Sequence, residues 1–328
     1  MNNNIMETVM SALDAANLNF TTELKPACAR FDSIDGSEPS YRETKLYVPV
    51  RMDDNSVIAN RTFTKKYHPI QNRDAFKVIG DISNLAEIQF RNVGSWGNGA
   101  GVYAQIALGE DMVIGNNDDR VGRYLSIINS HDGSRAMSIL ITPYRFVCKN
   151  QLSKAIKQAS KEDRSILRVP HTIGAEDKMF KLSHTIDVCN GILDQTEREY
   201  KQLAETKVTM EQVREAMARS MPVKHDSDGS VSYDWESKAT SMIRRFENAD
   251  DGRTEMMTGW NLYNAIQGTF QHDSRNTSTK MQSILCGSIA RKSYESLHHV
   301  EDVAFNPASF AHTEHEEFDK LFRHVSVA

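Results

Sequence analysis

The residues in this chain best suited to chemistry are cations set beside aromatic rings. Between Ile139 and Arg168 stand Arg145, Lys149, Lys154, Lys157, Lys161, Arg164 and Arg168, opposed only by Glu162 and Asp163. Seven cations against two anions leave a local +5 in a protein whose formal net charge is −5. Tyr144 and Phe146 flank Arg145, and upstream Arg61, Phe63, Lys65, Lys66 and Tyr67 repeat the interleaving. Cations track phosphates and aromatic faces stack unpaired bases, so the pattern fits single-stranded nucleic acid. A solvated helix face with core aromatics has the same composition and is the competing reading. The binding candidates are Arg61, Lys65, Lys66, Tyr67, Tyr144, Arg145, Phe146, Lys149, Lys154 and Lys157.

Other chemistry-bearing residues carry less. His131-Asp132 is adjacent in sequence and lacks partner histidines at helical spacing, so turn chemistry is expected there rather than a metal site. The glycines at 94, 97, 99 and 101 around Trp96 lead into a strand, whereas a dinucleotide fingerprint needs a helix N-terminus; a tight hairpin turn is expected. His298-His299 and His312-Thr313-Glu314-His315 lie in or near an acidic tail and read as solvated charge. No Gly-x-Ser-x-Gly, Walker A or His-Glu-x-x-His motif stands in the sequence. The expectation is a protein without catalytic residues, metal or cofactor.

These residues need a folded frame. A hydrophobic fraction of 39% with 25% charged residues over 328 positions is enough to bury a core. Cys28, Cys148, Cys189 and Cys286 form no paired motif and are expected to be reduced and mostly buried. The first residues lack the basic flank and apolar run of a signal peptide. No stretch reaches the ~18 apolar residues of a membrane span. A cytoplasmic location with no membrane contact is expected.

Periodicity supplies the elements. Met6, Val9, Met10, Leu13 and Ala16 space as a helix, and Asn72 is placed to cap a second with Ala75, Phe76 and Ile79 inward. Thr44–Val50, Val57–Phe63, Ala86–Val93, Val102–Leu108, Tyr124–Ile128 and Ala136–Thr142 read as strands. Asp132-Gly133 between apolar runs is a hairpin signal, since both tolerate φ > 0. Asn150 is placed to cap a basic helix. Leu182, Ile186, Cys189, Leu193, Thr196, Tyr200 and Leu203 form one helical stripe, fit for a subunit seam or, as the preferred reading, for packing within the chain. Thr209 and Gln212 form a capping box for a helix ending at Met221-Pro222, and His225 to Ser230 is an exposed loop. Further helices carry Trp235, Met242, Ile243 and Phe246, then Met256, Trp260, Tyr263 and Phe270, then Met281, Leu285 and Ile289. His298 to Asp319 is expected to be an irregular acidic tail.

Two linked motifs then carry a resemblance. Asn129-Ser130-His131-Asp132-Gly133-Ser134, followed by Tyr144-Arg145-Phe146-Val147-Cys148-Lys149-Asn150-Gln151-Leu152, resembles the DUF932 family of phage and plasmid-like proteins. Arg61 to Tyr67, His171-Thr172 and Gly259 to Ala265 add weaker matches. The likeness runs from about residue 40 to 295, with Phe146 where the family has a small aliphatic and nothing placed in the first 40 residues. It singles out His131, Asp132 and Gly133 as a family loop and implies a context of phages and mobile elements, but no activity. A looser likeness is to single-strand annealing proteins of the Rad52 type, which set a curved antiparallel sheet and a helix along a basic groove.

The expected fold is α+β: an antiparallel sheet with a central hairpin in the N-terminal half, and a helical C-terminal half. The expected parts are residues 1–40, a helix and arm; 41–175, a β-rich core with the basic helix; 176–297, a helical region; and 298–328, the tail. The expected function is single-strand nucleic-acid binding or annealing by a homo-oligomer. The alternative is a non-enzymatic interaction protein working through the Leu182–Leu203 stripe and the acidic tail.

Overall fold

The structure, a computed structural model, describes residues 3–34, 36–58, 61–82, 89–116, 119–145, 167–175, 179, 186–249, 254–272, 283, 288–306 and 315–325. Among the described residues the fold is α+β, with the strands in the first half and most helices in the second. The chain divides into two compact units. The first holds residues 1–108, 124–140 and 164–189; the second holds 109–123, 141–163 and 190–328. Both are discontinuous in sequence.

In the first unit, helix α1 (Asn3–Ala15) turns Val9 and Leu13 onto helix α2 (Asn72–Ile82), which answers with Ala75, Phe76 and Ile79. Between them, β1 (Thr22–Phe31) and β2 (Ser40–Arg51) pair antiparallel as a separate two-stranded arm. Thus the expected arm and the first expected core strand are partners of one hairpin. In the stretch Val57–Phe63, expected as a strand, the described residues touch β2 only through isolated bridges at Val50–Val57 and Tyr47–Phe63.

The larger sheet has the order β3 (Phe90–Trp96), β4 (Gly101–Ala107), β6 (Asp119–Ser130), β7 (Met137–Arg145), β8 (Leu167–Val169), with β5 (Met112–Ile114) beside β6. Pairs β3–β4, β4–β6, β5–β6 and β7–β8 are antiparallel. The glycine-rich run is the tight β3–β4 turn that its composition suggested, with Gly97, Asn98 and Gly99 all at positive φ. β4 is buried from Gly101 to Ile106, as an inner strand between two neighbours should be.

The second unit is built around helix α6 (Gly259–His272), every residue of which is buried from Gly259 to Thr269. Helices α5 (Tyr233–Glu247) and α7 (Ser288–Phe305) pack on it, and α7 also meets α4 (Met210–Ser220). Leu193, Tyr200 and Leu203 of α3 (Ile186–Glu205) are fully buried, so the described part of the stripe packs within the chain. Trp260 donates to Asp119 Oδ2 at 2.7 Å, with both groups buried. The capping box is present: Thr209 Oγ1 accepts from Gln212 N, and Gln212 Oε1 accepts from Thr209 N at 2.7 Å.

The tail is a correction. Residues 298–305 continue α7, and Glu316–Val325 form helix α8, which packs against α5. Leu297, Val300 and Val303, then Phe318, Leu321 and Phe322, recur at helical spacing and are buried; the abundance of acids hid that pattern. The acids are not idle charge. Asp302 meets Arg219 at 2.6 Å and Asp319 meets Arg214 at 2.6 Å, while His315 of the tail meets Glu215 of α4 at 2.6 Å. The expected helix from Asn150, along with Leu182, Met281 and Leu285, lies outside the described residues.

Because Thr209 closes the N-terminus of α4, Thr209→Ala should cost about 1 kcal/mol of stability. A urea titration followed by circular dichroism checks this, and an unchanged midpoint would contradict it.

Candidate functional site

The site is organised by the turn between β6 and β7 in the first unit. Ser130 Oγ donates to Asp132 Oδ1 at 2.6 Å, and the same oxygen accepts from Ser134 N at 2.9 Å. This closes the short side-chain-to-backbone ring that Asp favours in turns. Burial pushes the Asp132 carboxyl up, but these hydrogen bonds and the nearby Arg61 charge outweigh it and hold the group below its usual range. Gly133 has φ +65°, and a Cβ there would lie 2.4 Å from Phe63 Cε1. Glycine is therefore required twice over, by conformation and by the ring pressed against it.

His131 points inward and is fully buried. Its Nε2 lies 2.8 Å from Asn72 Oδ1, which also accepts from Asn129 Nδ2 at 3.0 Å. Asn129 Nδ2 reaches the Ile70 carbonyl at 2.8 Å, and Asn72 Nδ2 reaches the Leu18 carbonyl at 2.9 Å. Asn72 therefore opens α2 but spends its side chain across the core rather than on the helix end, which corrects the expectation of a cap. Donation to Asn72 assigns the His131 proton to Nε2 and leaves Nδ1 as an acceptor that, like Asn129 Oδ1, has no hydrogen-bond partner among the described residues.

An aromatic stack fixes the basic loop to this turn. Phe63 stacks on Tyr67 at 4.3 Å between centroids, and Tyr67 stacks on His171 at 5.2 Å. The Tyr67 hydroxyl donates to the carbonyls of Ser130 and His131 at 3.2 and 3.1 Å. Burial above all pushes that hydroxyl's pKa up, so it stays a donor. His171 Nδ1 accepts from Ile70 N at 3.1 Å, and the His171 carbonyl accepts from His68 N at 2.9 Å. On the other side of the turn, Phe20 lies 5.5 Å from the His131 ring, beneath the Arg51 guanidinium at 4.0 Å.

The loop presents its cations outward: Arg61, Lys65 and Lys66 are exposed, while Phe63 and Tyr67 between them are half-buried. Lys65 Nζ sits 5.7 Å from the Tyr47 ring centroid. Tyr144 and Arg145 end β7 and are described by their backbone alone. Phe146, Lys149, Lys154 and Lys157 lie outside the described residues. The structure thus joins the family loop to the upstream basic-aromatic segment. Sequence reasoning missed Asn72 and Phe63 as part of this site and put His131 on a turn surface; the Asn72/Asn129/His131 triplet of polar residues amid apolar runs was the signal that could have found the network.

Two buried imidazoles dominate the chemistry here. Burial, with smaller contributions from His171 and Arg51, pushes His131 down to about 3; burial likewise pushes His171 down to about 4. Both rings are neutral at pH 7 and weak as general bases. Among the described residues, no three His, Cys, Asp or Glu side chains are grouped to hold a metal ion, and no helix is long and apolar enough to cross a membrane.

A family described as a domain of unknown function, DUF932, matches residues 61–299. No curated protein matches the chain, and no solved structure does either, those of the Rad52 type included.

This geometry can be tested through pH and through the turn glycine. Unfolded histidines take up a proton near pH 6.5, whereas the folded rings resist until about pH 4 for His171 and about pH 3 for His131. Stability should be full above pH 6.5 and fall as the pH drops towards those values, by up to ~1.4 kcal/mol per pH unit for each ring. Urea unfolding at a series of pH values measures the slope, and His171→Asn should make it shallower. Gly133→Ala should destabilise the fold by about 1–3 kcal/mol; a wild-type melting temperature would refute the close approach of Phe63.

Proposed function

The chain belongs to the DUF932 family, and starting from that membership we propose that it binds single-stranded nucleic acid through a basic loop pinned to the family turn. One observation carries the reading: Arg61, Lys65 and Lys66 stand exposed on a segment whose Phe63 and Tyr67 are locked against Gly133 and His171. Cations on a fixed loop lose less freedom on meeting a phosphate row than cations on a loose one. Tyr67 is then a positioning residue, because its ring and hydroxyl are both engaged. Base stacking is assigned to Tyr144 or Phe146, with Arg145, Lys149, Lys154 and Lys157 as further phosphate contacts. The work suited to such a protein is holding or pairing single strands in phage or plasmid replication and recombination, in the cytoplasm and as an oligomer.

A second reading, a non-enzymatic interaction protein, is favoured by the arm, whose Phe31, Ile34 and Tyr41 are exposed. The surfaces first assigned to that role are otherwise occupied: the described part of the α3 stripe is buried, and Asp302 and Asp319 of the tail are paired.

Fluorescence anisotropy with labelled single- and double-stranded oligonucleotides across a salt series separates the two. Tighter, salt-sensitive binding of single strands is expected. Lys65→Glu combined with Lys66→Glu should weaken it several-fold and flatten the salt slope by roughly 0.7 for each phosphate that is no longer neutralised. No binding at low salt, or an unchanged slope, would bring the interaction reading forward.

A further inference from the structure

The arm poses a physical problem. Isolated two-stranded ribbons are marginal in water, yet β1 and β2 are 10 and 12 residues long and mostly exposed. Its two edges are treated differently. β1 carries Pro26, which has no N–H to offer a further strand. β2 is covered only at its base, where Tyr47 exchanges backbone bonds with Phe63 at 2.8 and 2.7 Å, and Pro49 and Arg51 bond Ile58 and Ser56 at 2.9 Å each. From Ser40 to Leu46, no strand pairs with this edge among the described residues. The register shift between Pro26 and Cys28 is satisfied within the arm, since Thr44 Oγ1 donates to the Ala27 carbonyl at 2.7 Å and accepts from Leu46 N at 3.1 Å.

The uncovered stretch is self-complementary. It reads Ser40-Tyr41-Arg42-Glu43-Thr44-Lys45-Leu46. Laid antiparallel on itself about Thr44, it sets Glu43 opposite Lys45 twice, Arg42 opposite Leu46 twice, and Thr44 opposite Thr44, and it ends where Phe63 already occupies the Tyr47 position. Opposite-charge and Thr–Thr pairs are among the cross-strand pairs that stabilise sheets, each by about 0.2–1 kcal/mol. Moving the centre by one residue sets Glu43 against Glu43 or Lys45 against Lys45. The charges that would guard this edge against stray strands therefore admit one register of one partner. A two-fold interface of this kind, using the same patch on both chains, is the commonest way a protein pairs with itself.

We propose that the β2 edge from Arg42 to Leu46 pairs antiparallel with the same edge of a second copy, joining two arms into a four-stranded sheet. The pairing needs no nucleic acid and stands apart from the function proposed above.

The test is sedimentation velocity on the full chain without nucleic acid, over a concentration series. Four samples are compared: wild type, Glu43→Lys, Lys45→Glu, and the double exchange, with thermal melts confirming that each is folded. Wild type should dimerise, and each single variant should raise the dissociation constant about tenfold or more by opposing like charges. The double exchange should restore the wild-type constant. So should an equimolar mixture of the two single variants, because one chain then carries two cations and the other two anions. A wild type that stays monomeric throughout, or equal association in all samples, would overturn the proposal. Weakening in both singles without rescue in the double exchange or the mixture would overturn it as well.

Discussion

One acceptor atom organises the first unit. Asn72 Oδ1 takes hydrogen bonds from both His131 Nε2 and Asn129 Nδ2, in a place where none of the three residues is appreciably exposed to solvent. A buried polar group left without a partner costs about 1–3 kcal/mol, so the three residues hold one another in place. Through them the start of α2, the end of β6 and, by way of the Leu18 carbonyl, the segment after α1 share one fixed geometry. The basic loop inherits that order, because Tyr67 hangs from the Ser130 and His131 carbonyls. An exposed row of cations is thereby tied to a core hydrogen bond several residues away.

Much of this frame was legible in the sequence. Asp132-Gly133 marks a turn because few residues tolerate its dihedrals, and β6 and β7 lie on either side of it. Thr209 and Gln212 announce a helix start by a spacing that admits little else. The first strand of the arm was not legible, since β1 is exposed on both faces and shows no alternation from Leu24 to Phe31. Asn72 was misread for a chemical reason: the amide that suits a helix end suits a tertiary bridge equally well, and only the position of Asn129 and His131 decides. The tail was misread because charge was weighed and spacing was not.

The second unit solves a different problem. Helix α6 is buried along its length yet carries Asn261, Asn264, Gln267 and Thr269. These bond mostly at short range: Asn264 Nδ2 to the Trp260 carbonyl, Thr269 Oγ1 to the Ala265 carbonyl, and Asn261 Nδ2 to the Phe246 carbonyl at the end of α5. Asn264 and Thr269 are satisfied by carbonyls of their own helix whatever its rotation, so Asn261, which reaches the Phe246 carbonyl, is the one of the three that ties the rotation of α6 to a neighbour. Asp119 adds a further constraint through Trp260, so a residue at the start of β6 selects the orientation of a helix that comes about 140 positions later in the chain.

The discontinuity of the two units bears on how the protein is made. The first unit is assembled from residues 1–108, 124–140 and 164–189. On a ribosome adding about 5–20 residues per second, the 81 residues between Leu108 and Cys189 take roughly 4–16 s to appear. For the first 22 residues of that interval, roughly 1–4 s, β4 has β3 on one side and no strand on the other, until Ser130 completes β6. Its apolar, doubly buried sequence is then an open sheet edge on a nascent chain, the kind of surface that chaperones shield. Vectorial synthesis thus makes the order of the strands, and not only their final pairing, a determinant of how much protein reaches its folded state.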